Sequence, residues 1–392
     1  MTGYEETTTP RSVQAWLPQE RAGTDPSSNL PTHRPMTSQE AYARYSSSVR
    51  QRVDLAVESC LGDRLAPARA LGVEVARVAD ALFSLGTRGG KRIRAVLLSL
   101  AYEGAGGEGG AERVVSAAVA VELLQLYMLV HDDWMDGDLV RRGGPSVHKM
   151  LGDGFGSTSL GDATAILAGD LASALAQEAI FSVDVPKPAV VAAARRFARI
   201  QHDVVLGQVL DVCAEVRPLT ALTLGAVEAM HAKKTGAYTV GGPLAVGALL
   251  AGASEARIVA LDAFAEPLGV AFQLRDDVLG TFGDPTHTGK PRFGDLRQGK
   301  RTALVACLLA DKGGSEAGRA LLTSVLGQAD ASDSACEALA ALMESSGSRA
   351  RVEERVSVLL DDARAKLPML ELRSEQRIVL EGAISALGER AS

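Results

Sequence analysis

The sequence predicts an all-α protein. Apolar residues recur at i, i+3 and i+4 along most of the chain, period-two runs bounded by turn signals are almost absent, and aromatics make up only 4% of a composition led by Ala and Leu. A length of 392 residues allows one large or two ordinary domains, with ample chain for a core.

A formal net charge of -7 and a pI near 5.5 argue against a general nucleic-acid binder, so the cations that matter act locally. Cys60, Cys213, Cys307 and Cys336 lie far apart with no CxxC, which indicates neither a zinc site nor a disulfide framework and fits a reducing cytoplasm. No apolar run approaches the ~20 uninterrupted residues of a membrane span, and the N-terminus lacks an apolar leader core. A soluble, cytoplasmic protein without stable membrane insertion is expected.

Residues 1 to 36, rich in Thr, Pro, Ser and Gly, are expected to be a disordered extension, and residues 37 to 392 one domain. Thr37 and Glu40 form a capping box ahead of a helix to about Leu61, whose Tyr42, Tyr45, Val49, Val53 and Val57 make a core stripe. A second helix is expected over about Pro67 to Ser84. In the segment that follows, Gly89-Gly-Lys-Arg-Ile-Arg94, two glycines precede three cations at a helix start. Considered alone, they equally fit a solvated basic helix start, but cations there oppose the dipole, which is itself a reason to expect an anion; helical from residue 88, Lys91 and Arg94 would share a face.

An apolar helix from Ala111 then delivers Asp132, Asp133 and Asp136 at its C-terminal end. Asp132 and Asp136, four apart, share a face, where their mutual repulsion and the negative end of the dipole call for a cation. Aspartates without Cys suit a hard ion such as Mg²⁺, which completes its shell with water and substrate phosphate. Arg141 and Arg142, just downstream, suit phosphate oxygens. Considered alone, the aspartates equally fit a solvated helix end paired to those arginines.

A Gly-rich segment, 152 to 161, leads to helices over about Asp162 to Phe181 and Lys187 to Cys213, the latter ending in Gly207-Gln-Val-Leu-Asp211. Another runs from Leu222 to about Leu250 with a break at Gly241-Gly-Pro243. It carries Lys233, Lys234 and Thr235, which considered alone fit a surface patch. A further apolar helix, Arg257 to about Phe282, again ends in paired aspartates, Asp276 and Asp277. It again hands over to a loop of glycines and cations with Lys290, Asp295 and Lys300. Two acidic helix ends, each followed by cations, predict opposite walls of one metal and phosphate pocket. Beyond Ala303 four or five amphipathic helices read as packing.

Taken together, GGKRIR (89 to 94), VELLQ with HDDWMD and RRGGPSVH (121 to 148), GQVLD (207 to 211), KTGAYT (234 to 239) and FQLRDDVLGTFGD with DLRQGKRT (272 to 302) resemble the trans-isoprenyl diphosphate synthases, or polyprenyl synthetases, of the short-chain farnesyl and geranylgeranyl type. The resemblance covers about residues 40 to 387. It implies packed helices around a central apolar cavity, a homodimer, and Mg²⁺-dependent condensation of isopentenyl diphosphate with an allylic diphosphate. By the same resemblance Asp132, Asp136 and Asp276 are metal ligands, supported by Asp133 and Asp277. Arg141, Lys234, Gln273, Lys290 and Lys300 hold the allylic diphosphate, Lys91, Arg94, Gln125 and Arg142 the isopentenyl diphosphate, and Thr235 is a further substrate-binding residue. Gln125 stands where many members have His. Tyr127, with Met128 beside it, is the expected cavity floor that limits the product to C15 or C20.

One departure from the family pattern is Gly280, where the second motif (DDVLG) would carry a third aspartate; Asp284 is too far along to restore the spacing. Two rival readings follow. A class I terpene cyclase shares the first motif but has no use for GGKRIR. A non-catalytic regulatory subunit is favoured by Gly280 and opposed by the intact leading pairs.

Overall fold

The structure is a computed structural model and describes residues 36–284, 292–310 and 316–388. The extension expected to be disordered lies, but for Met36, outside the described residues, as does Lys290. Among the described residues the regular structure is helical apart from a hairpin of two two-residue strands around Arg141 and Arg142, which pairs Val140 with Pro145 and Arg141 with Gly144.

The helices are α1 (Ser38–Arg69), α2 (Val73–Thr87), α3 (Ile93–Gly104), α4 (Val115–Met135), α5 (Val147–Phe155), α6 (Thr158–Phe181), α7 (Lys187–Ala214), α8 (Leu224–His231), α9 (Gly242–Leu250) and α10 (Glu255–Phe282). A short α11 (Gly294–Gln298) and five packing helices follow: α12 (Ala303–Ala310), α13 (Glu316–Val325), α14 (Asp333–Ser345), α15 (Ser348–Lys366) and α16 (Ser374–Gly388). The capping box at Thr37 is formed, with Glu40 N–H donating to Thr37 Oγ1 and Thr37 N–H to the Glu40 carboxylate.

Local expectations are corrected at four places. Helix α1 runs through Pro67 to Arg69, because an exposed proline in a last turn gives up one hydrogen bond without a buried clash; α2 starts only at Val73. Residues 88 to 92 are not helical: Gly89, Gly90 and Arg92 all have positive φ, so Lys91 precedes α3 and does not share a helical face with Arg94. Part of the Gly-rich segment is helix α5. Finally, the chain does not break at Gly241. Residues Ala232–Gly241 form a π-helix that runs directly into α9, with Pro243 in the first turn where its missing N–H costs nothing.

Two apolar clusters make the core. One surrounds α4, with α1, α2, α6 and α7 contributing Leu61, Leu82, Ala168 and Phe197. The other surrounds α10 and joins α3, α9 and the C-terminal helices through Leu97, Leu244, Phe264 and Leu380. Each acidic helix is thus the axis of one cluster, and helices apolar on nearly every side are held rigidly by their neighbours. Two segments, Ala111–Met135 and Thr158–Phe181, are long and apolar enough to cross a membrane by length and composition; the first is largely core, whereas α6 leaves Leu160, Leu167 and Phe181 exposed.

Candidate active site

Helix α4 ends where the acidic residues need it to. Gly137, at φ 68°, takes the left-handed position; Gly137 N–H donates to Trp134 O (3.3 Å) and Asp138 N–H to Asp133 O (2.8 Å). This Schellman closure satisfies the last carbonyls and leaves Asp132 and Asp136 side by side at the negative end of the helix. Two lysines answer them. Lys300 Nζ donates to Asp136 Oδ2 at 2.7 Å, and Lys234 Nζ lies 3.6 Å from Asp132 Oδ1 while bonding Asp211. Gln208 Nε2 also donates to Asp132 Oδ1 at 2.9 Å.

These contacts depend on how closely α7 approaches the π-helix. A Cβ on Gly207 would lie 2.6 Å from Lys234 Cα, so only glycine lets the GQVLD turn press against the backbone of Lys234. Asp211, one turn on, then meets the Lys234 ammonium.

The supporting aspartate of each pair points inward. Asp133 is fully buried; burial lifts its pKa to about 6 even though Arg141 binds it, and Arg141 also bonds Asp138 at 2.9 Å. Asp277 is likewise buried, and burial raises it well above the usual carboxylate range. Its oxygens receive Ala303 N–H at 3.2 Å and Gln273 Nε2 at 3.4 Å, and His231 Nε2 lies 3.7 Å away. Burial depresses His231 to about 4, so the imidazole is neutral near pH 7. Thr235 Oγ1 donates to Gln273 Oε1 at 2.8 Å, tying the π-helix to α10.

A second group of cations gathers where the GGKRIR segment meets the arginine loop. A Cβ on Gly90 would lie 3.1 Å from Arg142 Nη2, so the two glycine-rich segments touch. Arg142 is pushed downward, first by burial and then by the nearby Arg92 and Arg94. Arg92 is neutralised by Asp54 (2.7 Å) and Glu122 (3.1 Å); it is a structural ion pair. Arg94 stacks over the Tyr238 ring at 4.1 Å and donates to Thr239 Oγ1 at 2.7 Å, while its Nε is buried without a partner. Tyr238 Oη donates to Gln125 Oε1 at 2.7 Å. Lys91 is exposed.

One cavity of about 270 Å³ joins most of these side chains. Asp132 and Asp276, 144 positions apart in sequence (276 − 132), both line it. So do Arg94, Gln125, Arg141, Lys234, Thr235, Gln273 and Lys300. Its apolar wall includes Met128, Leu129, Val204 and Phe272. Lys91, Arg142, Asp136 and Tyr127 are not on the lining; Asp136 sits behind it on Lys300, and Tyr127 packs edge-on to His131 with ring centroids 4.7 Å apart. Sequence reasoning passed over Gln208, Tyr238 and Arg301, and gave no role to Asp211 and Asp295, although Asp211 and Asp295 sit in motifs whose charge was a usable signal.

The family model for polyprenyl synthetase matches residues 75–343. A (2E,6E)-farnesyl diphosphate synthase of Mycobacterium bovis is 39% identical over 263 residues, 66% of this chain and 68% of that protein. A geranylgeranyl diphosphate synthase of Sulfolobus acidocaldarius is 36% identical over 236 residues, 59% of this chain and 67% of that one. Among solved structures, a geranylgeranyl pyrophosphate synthase from Corynebacterium glutamicum, complexed with isoprenyl diphosphate and magnesium, superposes with a TM-score of 0.81 at 30% identity. That match covers 89% of this chain and 99% of that one. With more than half its length matched in this way, the chain belongs to the polyprenyl synthetase family and is a trans-prenyltransferase.

Proposed function

We propose that this protein condenses isopentenyl diphosphate with an allylic diphosphate to give a short all-trans product, C15 or C20. The observation that carries this reading is a single cavity lined by two acidic helix ends, by Arg141, Lys234 and Lys300, and by Arg94 from the second group of cations. Two cation groups fit two diphosphates, which a cyclase acting on one would not need.

The donor set fits magnesium. Asp132 and Asp276 offer carboxylate oxygens from the two acidic helix ends, and Arg141, Lys234 and Lys300 on the same lining can seat the phosphates that complete a Mg²⁺ shell. Asp132, Asp136 and Asp276 would hold it. When bound, the metal supplies charge stabilisation for the departing diphosphate.

The chain's own residues do the rest. Lys234, Lys300, Arg141 and, by resemblance, Lys290 bind the allylic diphosphate and offset the charge that develops as its C–O bond breaks. Thr235 and Gln273 orient it by hydrogen bonds. Arg94, Arg142, Gln125 and Lys91 hold isopentenyl diphosphate so that its double bond attacks the allylic carbon. Met128, Leu129 and Phe272 exclude water from the cation. The final proton goes to the released diphosphate. His231, on the lining, is a weak base because burial depresses it to about 4, and His131 Nε2, off the lining, is engaged 3.0 Å from Ile166 O. Met128, on the cavity wall, and its neighbour in sequence Tyr127 limit chain length.

Residues 37 to 392 act as one domain in the cytoplasm. The exposed apolar face of α6 supports a homodimer, since a patch containing Leu160, Leu167 and Phe181 favours a second copy. The test is incorporation of radiolabelled isopentenyl diphosphate by purified protein with Mg²⁺ and, separately, C5, C10 and C15 primers. A C15 or C20 product is expected; no incorporation with any primer overturns the proposal.

A further inference from the structure

A second cavity, of about 290 Å³, shares Met230 and Arg301 with the reaction cavity and no other lining residue. It is close to the ~300 Å³ at which small-molecule sites begin. It forms where the end of α7, the turn Leu219–Ala221 and helix α8 diverge. Ala226, Ala229, Met230 and Lys233 recur at i+3, i+4 and i+7, so one face of α8 and of the π-helix that continues it supplies them all. The space exists because Ala214, Ala221, Ala226 and Ala229 present only methyl groups where longer side chains would fill it.

The chemistry of the lining is one-sided. Every lining side chain is apolar except Arg217, Lys233 and Arg301, and no carboxylate is among them. Arg301 caps the carbonyl end of α7, with Nη2 donating to Glu215 O at 2.6 Å and Nε to Ala214 O at 3.3 Å. Arg217 and Lys233 are exposed, and among the described residues neither side chain makes an ion pair. This is unusual in a chain of net charge -7, where the exposed Lys149 and Lys366 each sit beside an aspartate. An apolar hollow edged by cations alone is complementary to an amphiphilic anion. Three positive charges suit a diphosphate, whereas the single charge of a carboxylate would leave two unanswered.

We infer that this cavity is a second, non-reacting site for a prenyl diphosphate, whose chain lies against α7 and α8 and whose diphosphate meets Arg217, Lys233 and Arg301. The choice of a prenyl chain rests on the proposed function, which makes such a molecule in the adjoining cavity; the preference for an apolar anion rests on the lining alone. The occupant touches Arg301 and Met230, the chain neighbours of Lys300 and His231, so it contacts both segments that carry those reaction-cavity side chains.

The experiment titrates farnesyl thiolodiphosphate, whose C–S bond resists ionisation, into the purified full chain with Mg²⁺ by calorimetry. Wild type is expected to take up one more equivalent per chain than Ala226→Trp, whose indole fills the cavity. Ala226 is exposed and gives its backbone N–H, not its methyl, to the Thr223 cap, so the substitution spares the helix start. The double variant Arg217→Gln with Lys233→Gln adds no bulk and carries the test on its own should Ala226→Trp not fold. It is expected to weaken the extra site ~10-fold or more, the scale of lost hydrogen bonds to charged groups, and to leave the remaining binding unchanged. Circular dichroism and melting confirm that each variant is folded. The same stoichiometry in wild type and folded Ala226→Trp overturns the inference. So does wild-type affinity in the double variant, or palmitate binding the extra site as tightly as the thiolodiphosphate. Wild-type protein that shows the extra site yet incorporates no isopentenyl diphosphate overturns the proposed function and leaves the second site standing.

Discussion

Lys300 Nζ donates to Asp136 Oδ2 at 2.7 Å, joining the end of the first acidic helix to a turn 164 residues away that also carries Asp295. Around it, Gln298 Nε2 donates to Asp138 Oδ1 at 2.7 Å. The α11 turn therefore acts as a clasp between the two acidic helices. Burial raises the pKa of Asp136, and Lys300 opposes that shift. Lys300→Ala leaves this carboxylate without its cation. Melting should show a loss of up to about 3 kcal/mol, the lower end for breaking a buried pair. The rate should fall by ~10²-fold because a charge facing the leaving group is gone.

Asp132→Ala and Asp276→Ala test the two walls separately. Each is expected to lower condensation by at least ~10²-fold, as for a lost electrostatic contact in a transition state. The circular dichroism spectrum should stay helical, because both side chains face the cavity and neither fills the core. Full activity in either variant would sink the assignment.

His231 gives stability a pH dependence. Its folded pKa, about 4, lies below the ordinary 6.5, so the unfolded chain binds more protons between those values. Stability is then fully present above pH 6.5 and falls as pH drops toward 4. The contribution is on the order of 3 kcal/mol, from ~1.4 kcal/mol per unit. His231→Gln should flatten urea midpoints across that window; an unchanged slope would refute the assignment.

Product length should respond to Met128 before Tyr127. Met128 is on the cavity wall, whereas Tyr127 is off the lining and packs against His131. Met128→Ala is expected to shift chromatographed products by at least one isoprene unit. Tyr127→Ala, off the lining, should lengthen them less. A longer product from Tyr127→Ala than from Met128→Ala would reverse the ranking.

Gly207→Ala should damage the site without touching a charge. The new methyl meets Lys234 backbone, which cannot swing aside as a side-chain tip would. A loss of about 1–3 kcal/mol is expected from overpacking, measured by urea unfolding. With Lys234 displaced from Asp132 and Asp211, KM for the allylic primer should rise. Wild-type KM would show that the close approach is dispensable.

Much of this protein was legible in the residues themselves. Helical periodicity gave the all-α class, the capping box at Thr37 marked the start of the first helix, and the pairs Asp132 with Asp136 and Asp276 with Asp277, each followed by lysines or arginines, pointed to one shared cavity. Those signals are local: each depends on residues within a few turns of one another. Residues far apart in the chain met only in the folded molecule. The pairing of Lys300 with Asp136, the pressing of Gly207 on Lys234, and the contact of Asp295 with Gly280 depend on how separate helices pack. Gly280 shows the difference most clearly. In sequence it is a missing side chain, but in space the room is taken, since a Cβ there would lie 2.4 Å from Asp295 Oδ2. The reason is that packing of Phe293 into the α10 core brings back a turn that no spacing rule along one helix describes.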